Sequence, residues 1–475
     1  MSSFIKPSLT TLTPEQIQQV HQYSLSILAN TGLRVDSEQG RQLFARATGQ
    51  PVDDSGKVCI PEELVEWALA SAPTYIDLYD RFGNPAFRLG EGPTRFGIGV
   101  TSLFYQDPLS DQVTPFARRH MEQIVRLGQA LPGYDVISTI GILQDMPPAT
   151  ADIFAALEMA ANTTKPLVIL VSDEELFPGV LDLLEYIHGD LAEKPFILPY
   201  FNPVTPLVMN RGTVDKMIAA IERGLPVIYS NYSMAGMSTP ITPAGTLAVM
   251  NAELLAGLVL SQLVKEGAPI VLGMLPAFFD LKTMVNFYDA KSMVVNLACA
   301  EMMRSYHIPH CGTSGSGMGW GPDLLGAEMY WMNHMTSALG QAGLAPFVGD
   351  TLGSKAFSPV NVVYAHEVIE HSLRLAEGFP LDDENAGLDQ IDQVGPGGNF
   401  LKSGLTKKLY RSAYYSSPIF PNISLEKWQA EGEPKAIDRL RAYTRELMET
   451  SKPPEDHDEL IANGEGYIRR HFPVR

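Results

Sequence analysis

Pro226-Val227-Ile228-Tyr229-Ser230-Asn231, then a long helical stretch, then Pro269-Ile270-Val271-Leu272-Gly273-Met274-Leu275, reads as strand, helix, strand. Both runs are short, apolar and rich in β-branched residues, and each has a proline at its start, where a strand tolerates the missing N–H. The unit recurs from residue 94 to about 376. The runs are Arg95 to Val100, Val136 to Ile142, Leu167 to Val171, Phe196 to Tyr200, Val227 to Asn231, Ile270 to Leu275, Ile308 to Gly312 and Ala345 to Gly349, each followed by a helical stretch. Eight such units are the arithmetic of an α/β (β/α)8 TIM barrel, which takes roughly 250 residues. A doubly wound open sheet is the alternative that periodicity leaves standing.

Around this core the chain divides into an N-terminal helical cap (residues 1–92), the barrel (93–380) and a C-terminal extension packed on it (381–475). The cap has two helices. Thr13, Pro14 and Gln16 make a capping box with proline at the first helical position, Ile17, Val20, Ile27 and Leu28 share a face, and Gly32 closes it. The second runs from Pro61 through Trp67 to Pro73. The extension is punctuated by glycine and proline and carries one helix, from about Pro434 to Thr450.

Lys and Arg number 35 against 54 Asp and Glu, a formal charge of −19 that disfavours nucleic acid and anionic membranes as partners. Hydrophobic residues at 45% against 19% charged exclude a disordered chain. No window approaches the ~18 uninterrupted apolar residues of a membrane span. Met1 to Pro7 lacks the basic and apolar regions of a secretory signal, and three cysteines (Cys59, Cys299, Cys311) suit a reducing compartment, so the expected location is the cytoplasm.

In a barrel the chemistry sits in the loops after the strands. Phe104, Tyr105, Tyr200, Tyr232, Phe279 and Trp320 fall there and would converge on one mouth. Convergent ring faces hold a quaternary ammonium, which offers no donor and binds by cation–π attraction; the alternative is that each ring only packs the barrel top. The polar residues of the same loops are Asn202, Asn231, Ser233 and Ser314, with Asp280, Asp350 and Lys355 charged. His310 faces the cavity or lies within its strand as a structural residue. His307, His310 and Cys311 invite a zinc reading, but neighbours on a strand point to opposite faces, so no metal site is expected. Gly315 to Gly321 resembles a phosphate-cradling loop yet follows the seventh strand, and a glycine-rich lid over a large planar partner fits equally.

Leu12 to Ile17, Gly32 to Val35, Val58 to Pro61, Tyr79-Asp80-Arg81, Gly236 to Gly245, Asn251-Ala252-Glu253, Gly267-Ala268-Pro269 and Val394 to Leu401 together resemble signatures of the trimethylamine methyltransferase (MttB) superfamily, over nearly the whole chain. The resemblance implies a barrel that moves a methyl group from a methylated amine to the Co(I) of a corrinoid (cobalamin) carried by a separate, cognate corrinoid protein. The chain is written in ordinary residues, as in the non-pyrrolysine branch, which acts on quaternary amines: glycine betaine first, with proline betaine, carnitine and butyrobetaine as alternatives. Leu405 departs from an expected histidine before Thr406.

Such a substrate leaves as a neutral tertiary amine and needs no general acid, so the enzyme's task is placement. The box is expected from Tyr105, Tyr200, Tyr232, Phe279 and Trp320, and a carboxylate partner from Asn202, Asn231, Ser314, His310 or Lys355. A zinc-dependent enzyme on the His/Cys strand and a non-catalytic betaine-binding protein are the competing readings. A large apolar barrel is compatible with a homo-oligomer.

Overall fold

The computed structural model describes residues 3–52, 55–312 and 319–473. Eight parallel strands close on themselves: β1 (Arg95–Ile98), β2 (Val136–Ser138), β3 (Leu167–Ile169), β4 (Ile197–Phe201), β5 (Val227–Ala235), β6 (Ile270–Asp280), β7 (His310–Gly312) and β8 (Leu344–Val348). Leu344 pairs with Arg95 to complete the ring. After the strands run, in order, α1 (Arg118–Ala130), α2 (Pro148–Asn162), α3 (Phe177–His188), α4 (Arg211–Glu222), α5 (Pro243–Val264), α6 (Ala290–Ser305), α7 (Leu324–Leu339) and α8 (Pro359–Glu377). The closed ring is the (β/α)8 barrel that the alternating runs predict, and it rules out the open sheet.

The prolines take the places their chemistry permits. Pro166 and Pro269 lack an N–H, but their carbonyls accept from Ile137 and Val227 at 3.0 and 3.1 Å and so feed the neighbouring strand. Inside, Val136, Val168, Leu198, Ile228, Val271 and Leu344 fill the barrel. Its N-terminal end is closed by a hairpin, Ile76–Tyr79 with Pro85–Leu89, whose Ile76, Leu78 and Leu89 join the same cluster. Each such aliphatic side chain contributes about 1.5–3 kcal/mol on burial. The other end is therefore the only one left to the loops.

Helix α5 is, among the described residues, the one helix long and apolar enough to cross a membrane, although Asn251 and Glu253 interrupt its apolar run. Its side chains are instead buried in the barrel wall. A Cβ on its Gly257 would come within 2.2 Å of the Tyr229 ring, so the close helix–strand contact requires glycine there.

The cap departs from the two-helix expectation. Helix Pro14–Ser26 carries the capping box, with Gln16 N–H on Thr13 Oγ1 at 3.3 Å and Thr13 N–H on Gln16 Oε1 at 2.9 Å. Between it and helix Glu62–Ser71 lies another, Glu38–Thr48, which buries only Gly40 and Phe44 and so leaves little apolar period to read. At the far end, helix Ala436–Thr450 is joined by a second, His457–His471, whose mostly polar surface likewise hides it.

That last helix is clamped to the barrel. Arg81, nearly buried, donates from both terminal nitrogens to Asp456 at 2.5 and 2.7 Å, and Arg118 bridges Glu158 (2.6 Å) and Glu465 (2.8 Å). Asp456 is partly exposed, so the pair is worth less than a fully buried one; Arg81→Ala should lower unfolding free energy by about 2 kcal/mol. The hydrogen bonds from Arg81 hold the Asp456 carboxyl below the usual range. A lowered pKa gives stability that is present above the unfolded value of about 3.9 and lost as pH falls through the folded one. Denaturant melts of the two proteins should thus differ near neutrality and converge in acid.

Candidate functional site

Strands β5 and β6 are the longest of the ring and pair residue for residue from Val227/Ile270 to Ala235/Phe278, so they rise above their neighbours as one wall of the mouth. A short strand, Val285–Phe287, returns antiparallel along the end of β6 and adds to that wall. The cavity at this mouth is about 370 Å³, opens to solvent and is lined, among the described residues, by Val100, Thr101, Leu170, Tyr200, Asn202, Tyr232, Leu275, Asn286, Tyr288, Phe347, Gly353 and Ser354. Its lining holds four aromatic rings and two carboxamides, and none of these residues carries a formal charge.

The rings are fixed by their surroundings. Tyr200 on β4 meets Phe347 on β8 edge to face, with centroids 5.2 Å apart and planes at 80°. Tyr232 on β5 is hydrogen-bonded to Tyr288 and Asn286. Burial pushes the hydroxyl pKa values of Tyr200 and Tyr232 up; for Tyr232 the hydrogen bonds oppose the rise, and the charge of Asp350, fully buried beyond β8, adds to it. Both hydroxyls therefore stay protonated across the neutral range. Thr101 and Ser354 adopt φ of 55° and 63°, left-handed values that cost a non-glycine residue of order 1 kcal/mol. The loops that carry them are held to the mouth at that expense.

Of the ten expected site residues, Tyr200, Asn202 and Tyr232 meet in this cavity. Asn231 does not face it. Next to Tyr232 on the same strand, it points outward, its Nδ2 donating to Glu253 Oε2 at 2.7 Å and to Met250 O at 2.9 Å on α5. Tyr105 packs beneath the rim, stacked on His120 of α1 with centroids 4.0 Å apart. Phe279 shares the inward face of Leu275 but lies four residues, about 13 Å, further along β6. Trp320 is 74% exposed, and Lys355, also exposed, contributes its carbonyl to Leu103 and Phe104 N–H.

His310 opens β7 and so sits at the opposite end, lining a separate cavity of about 350 Å³ with Arg95 and Arg304. Burial, aided by Arg304, lowers its pKa to about 4. Cys311 points into the barrel beside Ser230, and His307 is exposed, so the three do not converge. Ser314 lies outside the described residues.

Phe347, Asn286 and Tyr288 are absent from the sequence-based set. A register shift between Ala345 and Val348 re-aims Phe347 inward, which strand alternation alone does not foretell. Asn286 and Tyr288 alternate with Val285 and Phe287, a period-two signal too short to mark a strand on its own. Another residue, Glu253, organises the site from behind. Its carboxylate accepts from Leu207 N–H (2.6 Å), Thr205 Oγ1 (3.0 Å) and Asn231 Nδ2, and so ties the loop after β4 to α5. Asn251, two residues earlier, binds Ser24 Oγ and Tyr306 Oη, both at 2.9 Å, joining cap to barrel.

The family model described as trimethylamine methyltransferase (MTTB) matches residues 4–471. The chain is 27% identical to trimethylamine methyltransferase MttB of Desulfitobacterium hafniense (strain DSM 10664 / DCB-2), over 94% of this chain and 90% of that one. It is 25% identical to the glycine betaine methyltransferase of Desulfitobacterium hafniense (strain Y51), over 97% of each. Among solved structures, the monomethylamine methyltransferase (MtmB) of Methanosarcina barkeri superposes with a TM-score of 0.54 at 9% identity, covering 95% of this chain and 90% of that one, a likeness of fold.

Proposed function

Given that the chain belongs to the trimethylamine methyltransferase (MTTB) family, we propose that it takes a methyl group from a small quaternary amine, glycine betaine first, and passes it to a corrinoid carried by a separate cytoplasmic protein. The observation that carries this reading is the uncharged cavity walled by Tyr200, Tyr232, Tyr288 and Phe347. Ring faces suffice for a quaternary nitrogen, whereas a protonated tertiary amine brings an N–H that needs an acceptor. The volume of about 370 Å³ suits a ligand of a few heavy atoms.

The corrinoid supplies the methyl acceptor. What the chain does is placement. Tyr200, Tyr232, Tyr288 and Phe347 enclose the ammonium and exclude water. The carboxamides of Asn202 and Asn286, with the hydroxyls of Thr101 and Ser354, offer hydrogen bonds to a carboxylate without a salt bridge. Departure of a methyl from a quaternary nitrogen leaves a neutral amine, so no proton must be delivered and the step asks for no general acid.

The rim suits a broad partner. Leu103, Met237, Ile241, Leu281, Met284 and Leu324 stand exposed in or beside the loops after β1, β5, β6 and β7. An apolar rim of this extent fits a protein that must present the face of a large macrocycle to the mouth.

Two measurements test the reading. Calorimetry should show glycine betaine binding more tightly than dimethylglycine; equal or reversed affinities contradict the aromatic-box account. Methyl transfer should also be flat in pH between about 6 and 9, because the substrate charge is permanent and the cavity tyrosines titrate above that range. A rate that follows an amine's own titration would indicate a tertiary-amine substrate instead.

A further inference from the structure

Beyond α8 the chain leaves the barrel at the face opposite the mouth, because the helices run antiparallel to the strands. Phe379–Leu381 there pairs with Ser3–Ile5 in a two-stranded ribbon, and the chain continues as an arm to about residue 414. A ribbon of two strands is marginal in water by itself. The three short helices of the arm, Asp383–Ala386, Leu388–Val394 and Gly404–Leu409, contain no buried residue. Phe4, Phe379, Leu388, Ile391, Leu401 and Tyr414 are all more than half exposed.

The arm is also polarised. Its first limb carries Asp382, Asp383, Glu384, Asp389 and Asp392, and its second carries Lys402, Lys407, Lys408 and Arg411, with no acidic residue between 393 and 425. That basic stretch stands out in a chain of charge −19. The limbs fold against each other through the glycine-rich turn of residues 395–398, with Leu405 N–H on Gln390 Oε1 at 2.9 Å, yet Glu384–Lys408 at 2.9 Å is the single ion pair between them among the described residues. Most of the complementary charge therefore faces outward.

We infer that this arm is an interface with a second copy of the chain. A two-fold axis would lay the acidic limb of one copy on the basic limb of the other, twice over, which is the self-complementarity that an isologous contact requires. Six exposed side chains at roughly 100–150 Å² each supply about 600–900 Å², near the ~800 Å² that one partner buries in a standard interface. The contact lies on the face away from the mouth, so it leaves the mouth open.

Sedimentation of the full chain in about 0.1 M salt should give twice the 52.0 kDa chain mass, 2 × 52.0 = 104.0 kDa, or an even multiple. The double substitution Leu388→Asp/Leu401→Asp, at exposed positions, should return the monomer mass. Lys407→Glu/Lys408→Glu and Asp389→Lys/Asp392→Lys should each be monomeric alone and form the dimer when mixed. Amide exchange of residues 388–409 in the unaltered chain should slow as its concentration rises. A monomeric wild type, an oligomer indifferent to these substitutions, or association seen only when a corrinoid protein is added would each overturn the inference.

Discussion

Replacement of Tyr232 and Tyr288 together by alanine is expected to lower kcat/KM for glycine betaine by about two orders of magnitude. A desolvated cation–π contact is worth roughly 1–2 kcal/mol, so removal of two rings costs about 2–4 kcal/mol, and each 1.4 kcal/mol is tenfold. The division between constants follows from charge. Positive charge at nitrogen declines as the methyl departs, so the rings hold the bound substrate at least as well as the transition state. The loss should accordingly fall mainly on KM, with kcat changed several-fold at most. Tyr232→Phe keeps the ring face and loses only the hydroxyl contacts to Tyr288 and Asn286, and should cost less than about fivefold. Steady-state kinetics on these variants decide the matter. An unchanged KM in the double alanine variant would remove the rings from substrate binding.

Loss of Glu253 is expected to be the largest single stability change. Alanine at this position leaves the half-buried Leu207 N–H without its acceptor and the buried Asn231 carboxamide with only Met250 O, and opens a void between α5 and the loop after β4. At about 1–3 kcal/mol for each orphaned group the total is roughly 3–5 kcal/mol. Activity should fall with it, because Asn202 stands at the start of that same loop, where its carbonyl accepts from Thr213 Oγ1 at 2.6 Å. Burial raises the Glu253 carboxyl pKa above its ordinary value, against the pull of its three donors. A raised carboxyl pKa contributes stability that is fully present below the unfolded value and is lost as pH rises through the folded one. The stability gap between wild type and Glu253→Ala should therefore widen as pH is lowered from 7 toward 4. Glu253→Gln, which keeps an acceptor and discards the buried charge, should lie much closer to wild type. Urea melts at several pH values check both signs; a gap that narrows toward acid contradicts them.

The barrel was legible because apolar runs and following helices are set by burial on both sides of a parallel sheet, and such runs survive any detail of packing. All eight observed strands fall within or directly overlap the runs read from sequence. What escaped were the helices Glu38–Thr48 and His457–His471, whose apolar period is thin: each buries few apolar side chains, Phe44 in the first, Leu460 and Ile468 in the second. At the site, loop membership alone chose too broadly. Strand parity separates Tyr232, which faces in, from Asn231, which faces α5; strand length separates Leu275 from Phe279; and strand direction sends His310 to the far end. Parity could have been applied from the sequence. The shift that turns Phe347 inward could not, since it depends on how β8 meets β1.

The central claim, methyl transfer from a quaternary amine to a corrinoid, is tested most directly by incubating the full chain with glycine betaine and cob(I)alamin and following the spectrum of the corrinoid. The account predicts methylcobalamin and dimethylglycine in equal amounts, at a rate that the Tyr232→Ala/Tyr288→Ala variant reduces. Absence of methylcobalamin with glycine betaine and with proline betaine, carnitine and butyrobetaine, while calorimetry shows that at least one of them binds, would contradict it and leave a betaine-binding protein in its place.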